Sequence, residues 1–227
     1  MRTANVYIDG FNLFYRCLKG TPYKWLDVAR LSAYLLPKGT VINRIRYFTA
    51  RVGARPNNPD APTNQEIYLR ALRTIPNLTI MFGHFLTNTV DMPLAQPLPG
   101  GPRFARVIRT DEKGSDVNLA TYLLLDAFKG GVDIALLVSN DSDLAEPVKI
   151  ARADFGLKIW LTLPCTGQPS TVLRAQADAV RPIRKGALAA CQFPATLTDA
   201  WGVFSKPPTS SGDLGSPEAV GSPRPSR

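Results

Sequence analysis

From residue 115 onward the chain alternates helix-period and strand-period segments with almost nothing between them, and this rhythm constrains the fold more than any other feature. "GSDVNLATYLLLDAFKGG" reads as a helix closed by Gly130-Gly131, and "VDIALLVS" as a continuous apolar strand. "SDLAEPVKIARADFG" is a helix ending at Gly156, "LKIWLTL" a strand, "PSTVLRAQAD" a helix and "AVRPIR" a last short strand. Such alternation calls for a parallel sheet covered by helices on both faces. The first half fits the same plan. "ANVYIDG" is a buried strand, "FNLFYRCLK" and "WLDVARLSAYLL" are helices, and "VINRIRYFTARV" is a long strand with Arg44 and Arg46 on one face. "TNQEIYLRALRTI" opens with Thr63 and Glu66 at capping-box spacing and runs as an amphipathic helix. "LTIMFGHF" reads as one strand, "NTVDMPLAQPLPGGP" as an exposed loop, and "RFARVIR" as a further strand. The expected fold class is α/β: a three-layer α/β/α, Rossmann-like domain with a mainly parallel central sheet.

That plan sets the domain limits. Residues 1–185 form the expected domain, and 186–204 an extension whose apolar residues are expected to dock on it. Residues 205–227 form a tail in which Pro, Gly and Ser supply 14 of 23 residues, too little apolar surface to offset chain entropy. Cys17, Cys165 and Cys191 lack C-x-x-C spacing and read as reduced thiols. No signal-peptide pattern and no membrane-spanning apolar run is visible, so a cytoplasmic location is expected.

In open α/β sheets, ligands bind beyond the C-terminal ends of the strands. Asp9 ends the first strand, and Asp141 follows "VDIALLVS". Asp143 and Asp116 each fall in or just before the first turn of a helix. All four carboxylates are therefore expected at one edge. Capping a helix would account for Asp116, Asp141 or Asp143 singly, but not for Asp9 or for two acids two residues apart. Four acids on a chain of net charge +9 call for a divalent cation, and hard oxygen donors suit Mg²⁺ or Mn²⁺. Asp126, ten positions after Asp116, is turned roughly 280° around its helix and away from the cluster. Glu112 is most simply a turn residue, with a place at the rim of the cluster as the alternative.

The positive charge has its own pattern. Between residues 44 and 109 stand nine arginines and no lysine, against only Asp60, Glu66 and Asp91. Arginine's planar fork binds two phosphate oxygens at once, which points to nucleic acid.

At these residues the chain resembles the NYN domain family, a PIN-like ribonuclease fold, in its bacterial LabA-like branch. "VYIDGFNLFY", "DEKGSDVNLA" and "LLVSNDSDLAEPVKIARADFGLKIWL" correspond to the family's three signature segments. Asn140 stands where a glycine is usual and Leu144 where an aromatic is usual; neither removes a ligand. The resemblance implies an endoribonuclease dependent on Mg²⁺ or Mn²⁺. It implies Asp9, Asp116, Asp141 and Asp143 as metal ligands and catalytic residues, with Asn12 and Ser139 in support. Arg44, Arg46, Arg51, Arg106, Arg109 and Lys113 are the expected RNA contacts, and the Pro/Gly loop at 93–102 the expected cover. The alternative is an RNA-binding or regulatory protein of the same fold with little turnover. Expected partners are RNA, a second copy of the chain and a protein recruited by the C-terminal tail, with no membrane.

Overall fold

The computed structural model describes residues 1–56, 58–163 and 165–208. Six strands form one parallel sheet: β1 (Thr3–Asp9), β2 (Val41–Thr49), β3 (Leu78–Phe82), β6 (Ile134–Val138), β7 (Lys158–Leu163) and β8 (Ala179–Pro182), in the order β3-β2-β1-β6-β7-β8. From β1 the chain builds outward through β2 and β3, then returns to the other side of β1 for β6, β7 and β8. The strand order therefore reverses between β1 and β6, and the C-terminal ends of those two strands open the crevice where such sheets bind ligands. A three-layer α/β/α domain is the result.

Strand alternation decides which side chain meets which helix layer. Ala4, Val6 and Ile8 of β1 pack with Ile45, Tyr47, Leu136 and Val138 against the layer formed by α1 (Gly10–Leu13), α2 (Val28–Leu35), α3 (Ala61–Arg73) and α7 (Lys185–Ala190). Tyr7, Phe48, Ala135 and Leu137 face the opposite layer of α4 (Ser115–Lys129), α5 (Ala145–Ala153) and α6 (Thr171–Ala175), where Leu119, Leu123, Val148 and Ala151 are fully buried. Asp9, in step with Asn5 and Tyr7, belongs to the α4 side.

The expected helix "FNLFYRCLK" is α1 followed directly by a π-helical turn over Phe14–Leu18. Such turns recur at functional sites. Gly10, which opens α1, has no room for a side chain: a Cβ would lie 2.8 Å from the Phe48 carbonyl oxygen and from the Tyr47 ring. The close approach of α1 to β2 accounts for the glycine after Asp9.

Two expectations for the middle of the chain are corrected. "LTIMFGHF" is not one strand, because the chain breaks at Gly83, where a Cβ would collide with the Glu112 carboxylate and the Lys113 carbonyl. The first part of the segment expected as an exposed loop, 88–93, belongs instead to β4 (His84–Pro93), paired antiparallel over ten residues with β5 (Phe104–Lys113), and 94–103 form the exposed loop between the two strands. Only Pro93 of the four prolines lies in the strand, and at its last position, where proline is tolerated. The hairpin forms a separate two-stranded sheet.

Residues 186–204 pack on the α1–α3 side. Trp25 donates its indole N–H to the Pro194 carbonyl (2.7 Å) and lies between the rings of Phe193 and Phe204 (5.7 and 6.4 Å between centroids). Arg70 grips Asp199 with two bonds, of 2.6 and 2.7 Å. β9 (Thr196–Asp199) and β10 (Gly202–Ser205) close this unit as a hairpin, so Ser205 belongs to a strand rather than to the tail. The remainder of the tail reading, residues 209–227, lies outside the described residues. The Cys165 N–H donates to the Cys17 sulfur, so two of the three free cysteines meet. Among the described residues no helix is long and apolar enough to cross a membrane.

Candidate active site

Asp9 is placed by the end of β1 and fixed by its neighbours. Its Oδ1 accepts the Asn12 N–H (2.9 Å), so Asp9 caps α1, against the expectation that capping does not account for it, while its Oδ2 accepts the Ser139 hydroxyl proton (2.9 Å). Ser139, just past β6, also accepts the Asp141 N–H at 3.1 Å. The Asn12 side-chain oxygen accepts the Asn140 N–H (3.2 Å), which ties the β1 turn to the β6 turn. Asp141 caps the short 3-10 turn Ser142–Leu144 by accepting the Asp143 N–H at 3.0 Å.

On the opposite wall, β5 runs into α4 through Gly114, whose φ of 96° only glycine adopts readily. This tight junction sets Asp116 in the first turn of α4. Glu112 accepts both the Ser115 N–H (3.1 Å) and its hydroxyl (2.6 Å), taking the place of a helix cap. Asp9, Asp116, Asp141 and Glu112 all line one cleft of about 870 Å³ at the sheet's switch point.

The electrostatics register this crowding. Burial raises the Asp9 pKa above the ordinary carboxylate value, and the charges of Asp141 and Glu112 add to the rise. Asp116 is pushed up to about 6, first by burial and then by Asp9, Asp141, Glu112 and Asp143. The donor set is all oxygen and fits Mg²⁺ or Mn²⁺ chemically. Among the described residues, however, no three carboxylate, histidine or cysteine groups are spaced to hold one ion between them. The acids share an edge without closing a coordination shell.

The expected residues therefore divide. Asp9, Asp116 and Asp141 share the cleft with Asn12, while Ser139 lies behind Asp9 and orients it. Asp143 is exposed and does not line the cleft, although its charge reaches Asp116. Glu112 takes the second of the two places open to it, in the acidic wall of the cleft. Its signal was alternation along β5, which turns Thr110 and Glu112 to the same face. Asn140 does not adopt a left-handed conformation, since every positive φ among the described residues is a glycine. Its side chain instead bonds the Gln168 carbonyl (2.9 Å) and the Ser170 N–H (2.8 Å), joining the loops after β6 and β7.

Of the expected RNA contacts, Arg46 is corrected. Arg46 is buried and donates to both oxygens of Asp126 at 2.8 Å, so it cannot meet RNA. Arg44, on the same strand face, reaches Asp126 at 3.2 Å, and Tyr7 donates its hydroxyl to the same carboxylate at 3.0 Å. Asp126 faces away from the cluster, but it turns inward as the anchor of the arginine face of β2. Arg51 is paired with Glu66. Arg109 and Lys113 both point toward Asp111, at 3.0 and 3.9 Å. Arg106 is exposed and makes no ion pair among the described residues. The cations that do line the cleft are Arg16, Lys19, Lys24, Arg55 and Lys206. They come from three segments, around 16–24, 55 and 206, which only the fold brings together.

A parallel sheet carrying acids at its switch point and cations around the cleft defines the class: an α/β domain with an acidic ligand-binding crevice. Comparison with known proteins gives the family: the NYN domain matches residues 3–184, and the chain belongs to that family. A relative from Pseudomonas putida, named 6-hydroxy-3-succinoylpyridine 3-monooxygenase HspA, is 32% identical over 86% of this chain and 71% of its own length. The crystal structure of a protein of unknown function from Vibrio parahaemolyticus superposes with a TM-score of 0.52 at 18% identity, over 81% of this chain and 94% of that one. The latter likeness concerns the fold alone.

Proposed function

We propose that the chain is a divalent-metal-dependent endoribonuclease. One observation carries this reading: Asp9, Asp116, Asp141 and Glu112 line a single cleft at the switch point of the sheet, with basic side chains around them. Asp9, Asp116 and Asp141 would hold Mg²⁺ or Mn²⁺, which when bound supplies a water of lowered pKa and a counter-charge for the phosphate. The protein's own groups do the rest. Ser139 and the Asn12 backbone N–H occupy one lone pair on each Asp9 oxygen, which fixes the carboxylate while leaving further lone pairs directed to the cleft. Asp141 is held by the turn it caps. Lys19, Arg55 and Lys206 hold the phosphodiester backbone against the repulsion of the acidic floor. The test is incubation of 5′-labelled single-stranded RNA with Mn²⁺ or with EDTA. Internal cleavage with Mn²⁺ and none in EDTA is the expected result.

Two observations favour other readings, and each has an outcome that selects it. The open spacing of the acids favours a protein that binds RNA without turnover; tight binding with no cleavage in Mn²⁺ selects it. The Pseudomonas relative's name, together with Phe11, Tyr15, Trp25 and Phe85 in the cleft wall, favours a small aromatic substrate. Oxygen-dependent turnover of 6-hydroxy-3-succinoylpyridine with an added two-electron donor, and intact RNA, selects that one.

A further inference from the structure

We propose that one face of the β4–β5 hairpin is a track that carries single-stranded RNA out of the acidic cleft. The proposal rests on the ribonuclease reading of that cleft. In the hairpin register, Glu112 pairs with Phe85, Thr110 with Thr87, Ile108 with Thr89, Arg106 with Asp91 and Phe104 with Pro93. Alternation puts all ten on the same face. The first two pairs line the cleft beside Asp9 and Asp116, so the face begins at the acidic site and continues outward without a break.

Along it, the residues are those a nucleic-acid strand uses. Phe85 packs edge-on to Phe11 at 5.7 Å, and Phe11 stacks with Tyr15 at 6.5 Å, which makes an aromatic entrance beside the acids. The Thr87 and Thr110 hydroxyls lie 3.0 Å apart and offer a polar step. Beyond them Ile108 is 77% exposed, Phe104 is 61% exposed, and Arg106 stands between the two. At about 3.3 Å per residue, Phe104 and Ile108 are about 13 Å apart, and Ile108 is as far again from Glu112. Phe104 offers a ring for stacking and Ile108 an apolar contact, with Arg106 between them and Asp91 across the hairpin from it. Base stacking and a tracking positive charge are how proteins hold single strands.

The opposite face is different. It carries Val90, Met92, Val107 and the Arg109–Asp111 pair, and it does not reach the cleft. A two-stranded ribbon also twists strongly. A flexible single strand follows such a surface, whereas a stiff duplex does not.

The experiment compares the wild type with a Phe104→Ala/Ile108→Ala double variant, Arg106→Ala and, on the other face, Arg109→Ala. Affinity for a fluorescent single-stranded RNA of about 12 nucleotides is read by anisotropy in EDTA, so binding is scored apart from cleavage. The double variant should bind about tenfold more weakly, because it removes the base stack on Phe104 and the apolar contact on Ile108, neither of which depends on sequence. Arg106→Ala should weaken binding of all sequences and reduce the slope of log affinity against log salt by about 0.7. Arg109→Ala should change neither. Equal losses from Arg109→Ala and Arg106→Ala, or no loss from the double variant, would overturn the track. So would a fall in oligomer mass by light scattering with RNA affinity unchanged, which would make the hairpin a contact between copies. Cleavage of a dinucleotide with Mn²⁺, short enough to occupy the cleft alone, should be unaffected by the hairpin variants. If the wild type binds the long RNA through the track yet cleaves neither substrate, the ribonuclease reading fails while the track stands.

Discussion

Replacing Asp126 by alanine should destabilise the protein by about 3–5 kcal/mol, the cost of leaving a buried charge without its partner. Asp126 is only 3% exposed and receives both donors of the buried Arg46, with Arg44 and the Tyr7 hydroxyl completing its shell. Truncation strands the Arg46 guanidinium between β2 and α4, where the Tyr122 ring, 4.3 Å away, and Tyr7 remain but carry no countercharge. The measurement is urea unfolding, with the midpoint lowered and the slope unchanged. Replacing Arg46 by methionine in the Asp126→Ala background should recover much of the loss, because it removes the orphaned charge as well. The pH dependence follows the same logic. Burial alone would raise the Asp126 pKa, but the Arg46 bonds and charge, helped by Tyr7 and Arg44, hold it below the usual range. A depressed carboxyl contributes its full stabilisation above its unfolded pKa of about 3.9 and loses it as pH falls through the folded value. Acid unfolding of Asp126→Asn should accordingly begin from a lower plateau and have a shallower acid limb.

The second large effect concerns turnover. Asp141→Asn should lower the rate of RNA cleavage by more than the roughly 10- to 100-fold that follows loss of a residue merely supporting a metal ligand. Its fold should be unaffected, because the asparagine side-chain oxygen can still accept the Asp143 N–H that Asp141 now accepts. RNA affinity should be equal or higher, since one negative charge leaves a floor that repels phosphate. Unchanged cleavage would remove Asp141 from the chemistry and return it to the single role of capping a turn.

Asp126 lies near the end of α4 and Asp141 in the cleft beside its first turn, and the sequence disclosed the two places unequally. Asp9, Asp116 and Asp141 were legible because each lies where a strand ends or a helix begins, and a parallel α/β sheet brings such positions to one edge. Strand alternation also put Arg44 and Arg46 correctly on one face. What alternation could not say is whether that face meets water or a helix, and here α4 covers it. The sequence did hold a clue. Asp126 lies seven positions after Leu119 and three after Leu123, on the stripe that packs against the sheet, where an unpaired acid would be untenable. Measuring its angle from Asp116 alone hid this. The hairpin was harder still. Its β4 strand is mostly exposed and carries little apolar alternation, and the break at Gly83 depends on a contact with Glu112 and Lys113 some thirty residues away. The basic lining of the cleft has no linear signature, because Lys19, Arg55 and Lys206 come from segments that meet only in the folded chain.

The most direct measurement is anomalous diffraction from crystals of this protein soaked in Mn²⁺. The expected result is a manganese peak in the cleft, at about 2.0–2.2 Å from carboxylate oxygens of Asp9, Asp116 and Asp141, with those side chains drawn inward. Crystals that show manganese only elsewhere, or none at saturating Mn²⁺ with the three carboxylates unmoved, would contradict it.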